Sequence, residues 1–231
     1  MKYESQQIQQ IPVALIRPNP DQPRTFFDEE FIKGLAGTIK QSGVNDPLLL
    51  KRLGSADGVP FEIVKGENRW RAAKLAGLAE VPALIAQVSD KREQFKLALV
   101  SDVLKNDLGL PDLARGLKRL ESDCGMSQSA IAKFLGQSQA WVWQRLQLLK
   151  LGEATLKLMG PETSAEQRLP FSKALLMLNT SESDQAAIAT AVRRDRLSVG
   201  ATRHLVVKVR ASRKDCAPIP IAVQNPDYVL K

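Results

Sequence analysis

With 231 residues, a net charge of +8, and 44% hydrophobic against 25% charged residues, the chain is long enough for one large or two small domains with buried cores. No apolar run approaches the roughly 20 residues that span a bilayer, and MKYESQQIQQ lacks the apolar centre of a secretory signal, so a cytoplasmic protein with no membrane partner is expected. Two distant cysteines, Cys124 and Cys216, and the single histidine His204 argue against a zinc cluster or a disulfide scaffold, and make Cys–His catalysis a poor candidate.

Residues 1–10 are polar and read as a flexible tail. Ile11 to Ile16 reads as a short strand, and Pro18, Asn19, Pro20 and Pro23 make the next stretch an extended loop. Asp28 is placed as the N-cap of a helix running to about Gln41, with Phe31, Leu35 and Ile39 as its inner face and Gly43 as its stop. Pro47 to Arg52 and Pro60 to Val64 read as strands joined by a turn from Gly54 to Gly58. Gly66 opens a helix that ends near Gly77, and Val81 to Gln87 is another strand. Residues 11–89 therefore read as a small α/β domain.

From Asp90 onward the pattern is almost purely helical. Phe95, Leu97, Leu99 and Val100 belong to one helix, and Pro111 starts another with Leu113, Leu117 and Leu120 turned inward. A helix-turn-helix follows at 126–151, then a loop from Gly160 to Pro170. Helices are expected from Ser172 to Leu178, Ser183 to Asp195, and Ser198 to about Arg213. Residues 90–213 thus read as an all-α DNA-binding domain, and 214–231, with Pro218, Pro220 and Pro226, as an irregular tail. The fold class is α+β: an α/β domain followed by a helical one.

The stretch MSQSAIAKFLGQSQAWVWQRLQLLKL, Met126 to Leu151, carries the strongest functional signal. Gln128, Ala132, Gly136 and Val142 fall at the positions that shape a helix-turn-helix: a small residue for a close crossing, and a glycine for the left-handed turn. Ile131, Leu135, Val142 and Leu146 supply the buried side. The DNA-contacting set is then Gln128, Gln137, Ser138, Gln139, Ala140, Trp141, Gln144 and Arg145, because Gln and Arg side chains read adenine and guanine edges in the major groove. The same geometry also occurs as plain packing in helical domains. The basic surplus tilts the reading toward DNA, and half of it lies in residues 151–231, with 12 Lys+Arg against 8 Asp+Glu.

The second signal is Val64-Lys65-Gly66-Glu67-Asn68-Arg69-Trp70-Arg71, a strand running into a helix start, where free N–H groups and the helix dipole attract anions. Arg69 and Arg71 add forked donors, and the loop Asn19 to Arg24 supplies another arginine. Caps and surface ion pairs give such patterns as well.

Together, NPDQPRTFF at 19–27, GENRWRAAKLAGL at 66–78, the helix-turn-helix and the segment 169–209 resemble the ParB family of partition proteins, which includes KorB-type plasmid repressors. The resemblance implies a helical domain bound to palindromic double-stranded DNA, and an N-terminal domain switched by CTP with Mg. By motif, Gln22 and Arg24 would line the nucleotide pocket, Gly66, Glu67, Asn68, Arg69 and Arg71 would surround the phosphates, and Asp102 would stand on the metal side. This chain departs from the family pattern at four places. Asn68 replaces the first of two arginines, Asp102 replaces an Asn, Ser101 replaces the Glu tied to hydrolysis, and Asp46 replaces a Gln. These changes weaken an anion site and argue against hydrolysis. The resemblance also implies a ParA-type ATPase partner and self-association on DNA as a homodimer. The last 18 residues are too short for the family's C-terminal dimerisation domain. Competing readings are a ParB-like nuclease or other metal-dependent phosphoryl-transfer enzyme using Glu67 and Asp102, and a protein-binding surface built on Trp141 and Trp143.

Overall fold

The computed structural model describes residues 7–54, 59–88, 90–105 and 108–212, and the chain divides into two compact units, 1–107 and 108–231. The first unit contains strands β1 (Gln9–Pro12), β2 (Ile16–Arg17), β3 (Leu48–Arg52), β4 (Phe61–Lys65) and β5 (Glu80–Ala86), with helices α1 (Glu29–Ser42), α2 (Glu67–Leu75) and α3 (Lys91–Leu104). The strands lie in the order β1-β5-β3-β4-β2. β3 runs antiparallel to β4 and parallel to β5.

Strand alternation divides the sheet's side chains between two layers. Leu48, Leu50, Ile63, Ala83 and Ile85 join Ile32, Ile39 and Trp70 in the main core with α1 and α2. Leu49, Val64 and Ala86 form a second cluster with Leu97 of α3. Gln94 of α3, almost fully buried, donates to Glu62 Oε1 at 3.0 Å and to the Ile63 carbonyl at 3.2 Å, and accepts from Lys51 Nζ at 2.6 Å. Glu62 also holds Arg17 at 3.1 Å. These buried bonds attach α3 to the sheet. The domain boundary expected at residue 90 therefore moves to 107, and the α3 segment leaves the helical domain.

Several local expectations shift. The strand expected from Ile11 to Ile16 is interrupted by a 3-10 turn, Val13–Leu15, where Val13 N donates to Ala79 O at 2.9 Å. α1 starts as predicted, with Asp28 Oδ1 accepting from Glu30 N and Phe31 N at 3.0 and 3.1 Å. Its buried stripe is Ile32, Ala36 and Ile39, whereas Phe31 is 57% exposed. Ile39 is common to both sets, but Phe31 and Leu35 lie one step of 100° from Ile32 and Ala36, which take the place against the core. Most of the expected Gly54–Gly58 turn lies outside the described residues, as do most of the tail segments.

The second unit contains α4 (Leu110–Ser122), α5 (Gln128–Leu135), α6 (Gln139–Gln147), α7 (Glu153–Lys157), α8 (Phe171–Leu176), α9 (Glu182–Arg194) and α10 (Val199–Ala211). Four of these helices start on a serine whose hydroxyl accepts an N–H: Ser127 from Ala130, Ser138 from Trp141, Ser181 from Asp184 and Ser198 from Ala201. Each such cap stabilises its helix by about 1 kcal/mol. Leu148, Met159, Leu169, Leu176, Ile188 and Val206 fill the core. α7, absent from the sequence reading, is five residues long, too short for a periodic signal.

Candidate functional site

In the first unit β4 runs into α2 through Gly66, whose φ of +103° places it in the left-handed region. No side chain caps α2, so its first N–H groups have no acceptor within the helix. A cavity of about 230 Å³ opens at this point. The proline-rich loop supplies Gln22 and Arg24 to its lining, the β4–α2 junction supplies Lys65, Gly66, Glu67, Asn68 and Arg69, and α3 with its C-cap residue supplies Ser101, Asp102 and Lys105. An Asx turn shapes the loop: Asn19 Oδ1 accepts from Asp21 N at 2.9 Å. Phe27, Phe31 and Leu35 form an apolar wall, which explains why an exposed Phe31 sits on α1.

The cavity gathers four cations, Arg24, Lys65, Arg69 and Lys105, against Asp46, Glu67 and Asp102. Burial pulls the Lys65 pKa below its usual value, and the neighbouring charges of Lys105 and Arg69 pull it further. Arg69 donates from Nη1 to the carbonyls of Asp46 and Pro47, at 2.5 and 2.9 Å, and so holds the turn before β3. Asp102 lies 3.9 Å from Arg24. Three buried oxygens on the cavity wall have no hydrogen-bond partner among the described residues: Glu67 Oε2, Asn68 Oδ1 and Ser101 Oγ. Orphaned polar atoms of this kind are costly unless a ligand, ion or water satisfies them.

The structure brings together seven of the eight residues expected at a nucleotide site: Gln22, Arg24, Gly66, Glu67, Asn68, Arg69 and Asp102. Arg71 does not line the cavity. Its guanidinium donates twice to Glu67 Oε1, at 2.9 and 2.7 Å, and stacks 3.8 Å from the Phe27 ring. It braces Glu67 because an i,i+4 spacing places the two on one helix face. Lys65 and Lys105 escaped the sequence reading. Lys65 is visible in hindsight as the residue preceding Gly66, but Lys105 becomes relevant only once α3 is packed on the sheet.

In the second unit the helix-turn-helix has the expected skeleton. Ile131, Ala132, Leu135, Val142 and Leu146 are buried, and Gly136 ends α5 with φ +65°. Gln128 is half-buried and donates to Glu121 Oε1 at 3.2 Å, tying α5 to α4. Gln137, Ser138, Gln139 and Ala140 are exposed. The outward placement of Gln144 does not hold, and Arg145 is half-buried. Gln144 is 5% exposed. Arg145 lies over Trp141 at 3.8 Å and over Phe171 at 5.1 Å, and donates to the Trp141 carbonyl at 3.2 Å. Burial lowers the Arg145 pKa to about 10, which still leaves it charged at neutral pH. α6 is packed on two sides, so Gln144 turns inward while Trp141 and Arg145 are half-buried. Along one line of α6, Gln139 and Ala140 are exposed and Trp143 and Gln147 half-buried. The i, i+4, i+8 spacing of Gln139, Trp143 and Gln147 was the available signal for that line.

Among the described residues, no three His, Cys, Asp or Glu side chains group as a metal site, and no helix is long and apolar enough to cross a membrane.

Comparison with known proteins agrees with both units. The family model for the ParB N-terminal domain matches residues 1–103, and that for the ParB HTH domain matches residues 106–211. The chromosome-partitioning protein Spo0J of Thermus thermophilus is 40% identical over 172 residues, covering 74% of this chain and 61% of the relative. The chromosome-partitioning protein ParB of Myxococcus xanthus is 34% identical over 216 residues, covering 94% of this chain and 70% of the relative. The nucleoid occlusion protein of Geobacillus thermodenitrificans is 34% identical over 208 residues, covering 90% and 71%. Among solved structures, the C-terminally truncated chromosome-partitioning protein ParB from Caulobacter crescentus, complexed to the centromeric parS site, superposes with a TM-score of 0.61 at 28% identity, covering 87% of this chain and 99% of that one. A chain of the same protein complexed with CTP-gamma-S has a TM-score of 0.41 at 27% identity, too low to carry a structural argument. With two domain models matched in order and a relative 34% identical over most of both chains, this chain belongs to the ParB family.

Proposed function

We propose that the protein is a sequence-specific DNA-binding partition factor that reads a palindromic duplex site as a homodimer, under the control of CTP bound in its first unit. The observation that carries the proposal is the line Gln139, Ala140, Trp143 and Gln147 on the second helix of a helix-turn-helix, exposed at Gln139 and Ala140 and half-buried at Trp143 and Gln147. Glutamine amides there suit adenine edges, and Ala140 and Trp143 offer apolar contact to thymine methyls. The likeness to a ParB chain complexed to the centromeric parS site supports DNA as the partner.

For the nucleotide, the α2 N–H groups with Lys65, Arg69, Arg24 and Lys105 would receive phosphate oxygens. Magnesium, when bound, would neutralise phosphate charge. Asp102 and the unpartnered Glu67 Oε2 offer it the oxygen ligands that a hard cation prefers. With Ser101 in place of a carboxylate, the site lacks a side chain that could polarise an attacking water from that position, so the reading is binding without efficient turnover.

The test is capture of genomic fragments by the purified chain, with and without CTP and magnesium. Enrichment of one palindromic sequence, with occupancy extending from it only when CTP is present, is the expected result. Capture with no sequence preference would overturn the DNA reading, and enrichment indifferent to CTP would overturn the switch.

A further inference from the structure

A second cavity, of about 430 Å³, lies in the helical unit among the loop before α8, the start of α8 and the end of α9. Arg168, Lys173, Arg193 and Arg196 line it against one carboxylate, Glu166. Elsewhere in this unit, Arg115, Arg119 and Arg194 are each paired with an acidic side chain. The four cavity cations form no ion pair among the described residues.

Two of them are nonetheless fixed in place. Arg168 donates from Nε to Gly160 O at 3.1 Å and from Nη2 to Thr163 O at 3.0 Å. Arg193 donates from Nε to Gln167 O at 2.8 Å and from Nη2 to Gln167 Oε1 at 3.3 Å. Carbonyl and amide acceptors orient a guanidinium without neutralising it, and each of the two keeps further N–H donors.

Arg196 adds an independent sign. It has φ +48°, in the turn that ends α9, where Leu197 N donates back to Val192 O at 3.2 Å. That position favours glycine, and a long side chain there is held against a local preference. The cavity is also linked to the reading helix: Phe171, which stacks on Arg145 of α6, lies two residues before Lys173.

We infer that this cavity is a second seat for DNA on the helical unit, one that holds a backbone phosphate without regard to base sequence. The inference rests on the DNA-binding reading above and adds a contact that lies outside the helix-turn-helix. Fixed guanidiniums with no acidic partner fit phosphate oxygens, and such contacts position a protein on the duplex while leaving sequence choice to the reading helix.

The decisive variant is Arg196→Gly, which removes the charge and relieves the backbone. Lys173→Gln is the second variant. Binding of the full chain to its preferred duplex and to a scrambled duplex is measured by fluorescence anisotropy across a salt series, alongside thermal unfolding. Arg196→Gly is expected to keep or raise the unfolding midpoint while weakening both duplexes several-fold and by the same factor. Its log–log salt slope is expected to fall by about 0.9 for the lost phosphate contact, and Lys173→Gln should behave alike. Wild-type affinity and slope in both variants would overturn the inference. So would a loss confined to the preferred duplex. Titration with inorganic phosphate separates the two sources of the same chemistry: saturable millimolar binding that Arg196→Gly abolishes, with duplex binding intact, would assign the cavity to a free anion and overturn the DNA seat. A wild-type chain that binds neither duplex would overturn the underlying DNA reading as well.

Discussion

Replacing Gly66 by alanine tests how the nucleotide cavity is built. At φ +103° an L-residue occupies a sparsely populated region, at a cost of about 1–3 kcal/mol. Space is also short: a Cβ there would lie 3.1 Å from Arg69 Nη2 and 3.3 Å from Leu48 Cγ. Leu48 is fully buried, and Arg69 is tied to the carbonyls of Asp46 and Pro47, so neither gives way freely. Adding an overlap cost of about 1 kcal/mol to the backbone term gives a destabilisation of about 2–4 kcal/mol. For a unit of roughly 100 residues this lowers the unfolding midpoint by on the order of 10 °C or more. Calorimetry of the full chain should show the shift in the transition of the first unit, and isothermal titration should show CTP affinity reduced at least tenfold, while duplex binding without nucleotide persists. Gly136→Ala is the control, because φ is +65° there but no atom lies within 4 Å of the added Cβ. It should cost about 1–2 kcal/mol from the backbone alone. A Gly66→Ala chain with unaltered stability and unaltered CTP affinity would refute the reasoning.

Three further outcomes follow from the same geometry. Arg145→Ala removes a guanidinium lying against Trp141 and Phe171, so it should cost about 1–3 kcal/mol of stability in chemical denaturation and leave base preference intact; lost preference at unchanged stability would return Arg145 to the reading face. Lys65, whose pKa is depressed by burial and then by Lys105 and Arg69, opposes folding while charged, and that penalty fades as pH rises through its lowered folded value. A bound polyphosphate raises the same pKa, so CTP affinity should fall as pH climbs from about 7 toward the usual lysine range near 10, with proton uptake on binding; a pH profile of Lys65→Gln as steep as wild type would contradict this. Glu62→Ala strands Lys51 and the buried Gln94, and should cost about 3 kcal/mol in urea unfolding, against less than about 1 if the network is incidental.

How much of this was legible depended on whether the signal was local. Asp28 and Gly43 bracket α1 because a cap and a left-handed stop are properties of single residues, and the serine-capped helices follow the same rule. The cavity was legible in parts, as the loop holding Gln22 and Arg24 and the junction at Gly66, because each is a contiguous motif. Its α3 wall was only half legible. Asp102 stood out through the family resemblance, but Lys105 reaches the site through the packing of α3 on β4, which no local pattern encodes. The reading face of α6 was misjudged for a related reason. Val142 and Leu146 mark one buried side, but Gln144 is buried and Arg145 half-buried on another, where Phe171 from a helix more than twenty residues later packs against Arg145. Polar residues give no periodic hint that they will be covered.

The central claim is that the line Gln139–Trp143–Gln147 enters the major groove. Its most direct test is quantitative binding of the Gln139→Ala/Gln147→Ala chain to the preferred duplex and to a scrambled one. Loss of about 1–3 kcal/mol of preference per base contact removed, with scrambled binding unchanged and Gln144→Leu retaining wild-type preference, is the predicted result. A double variant that still distinguishes the two duplexes as the wild type does would contradict the account.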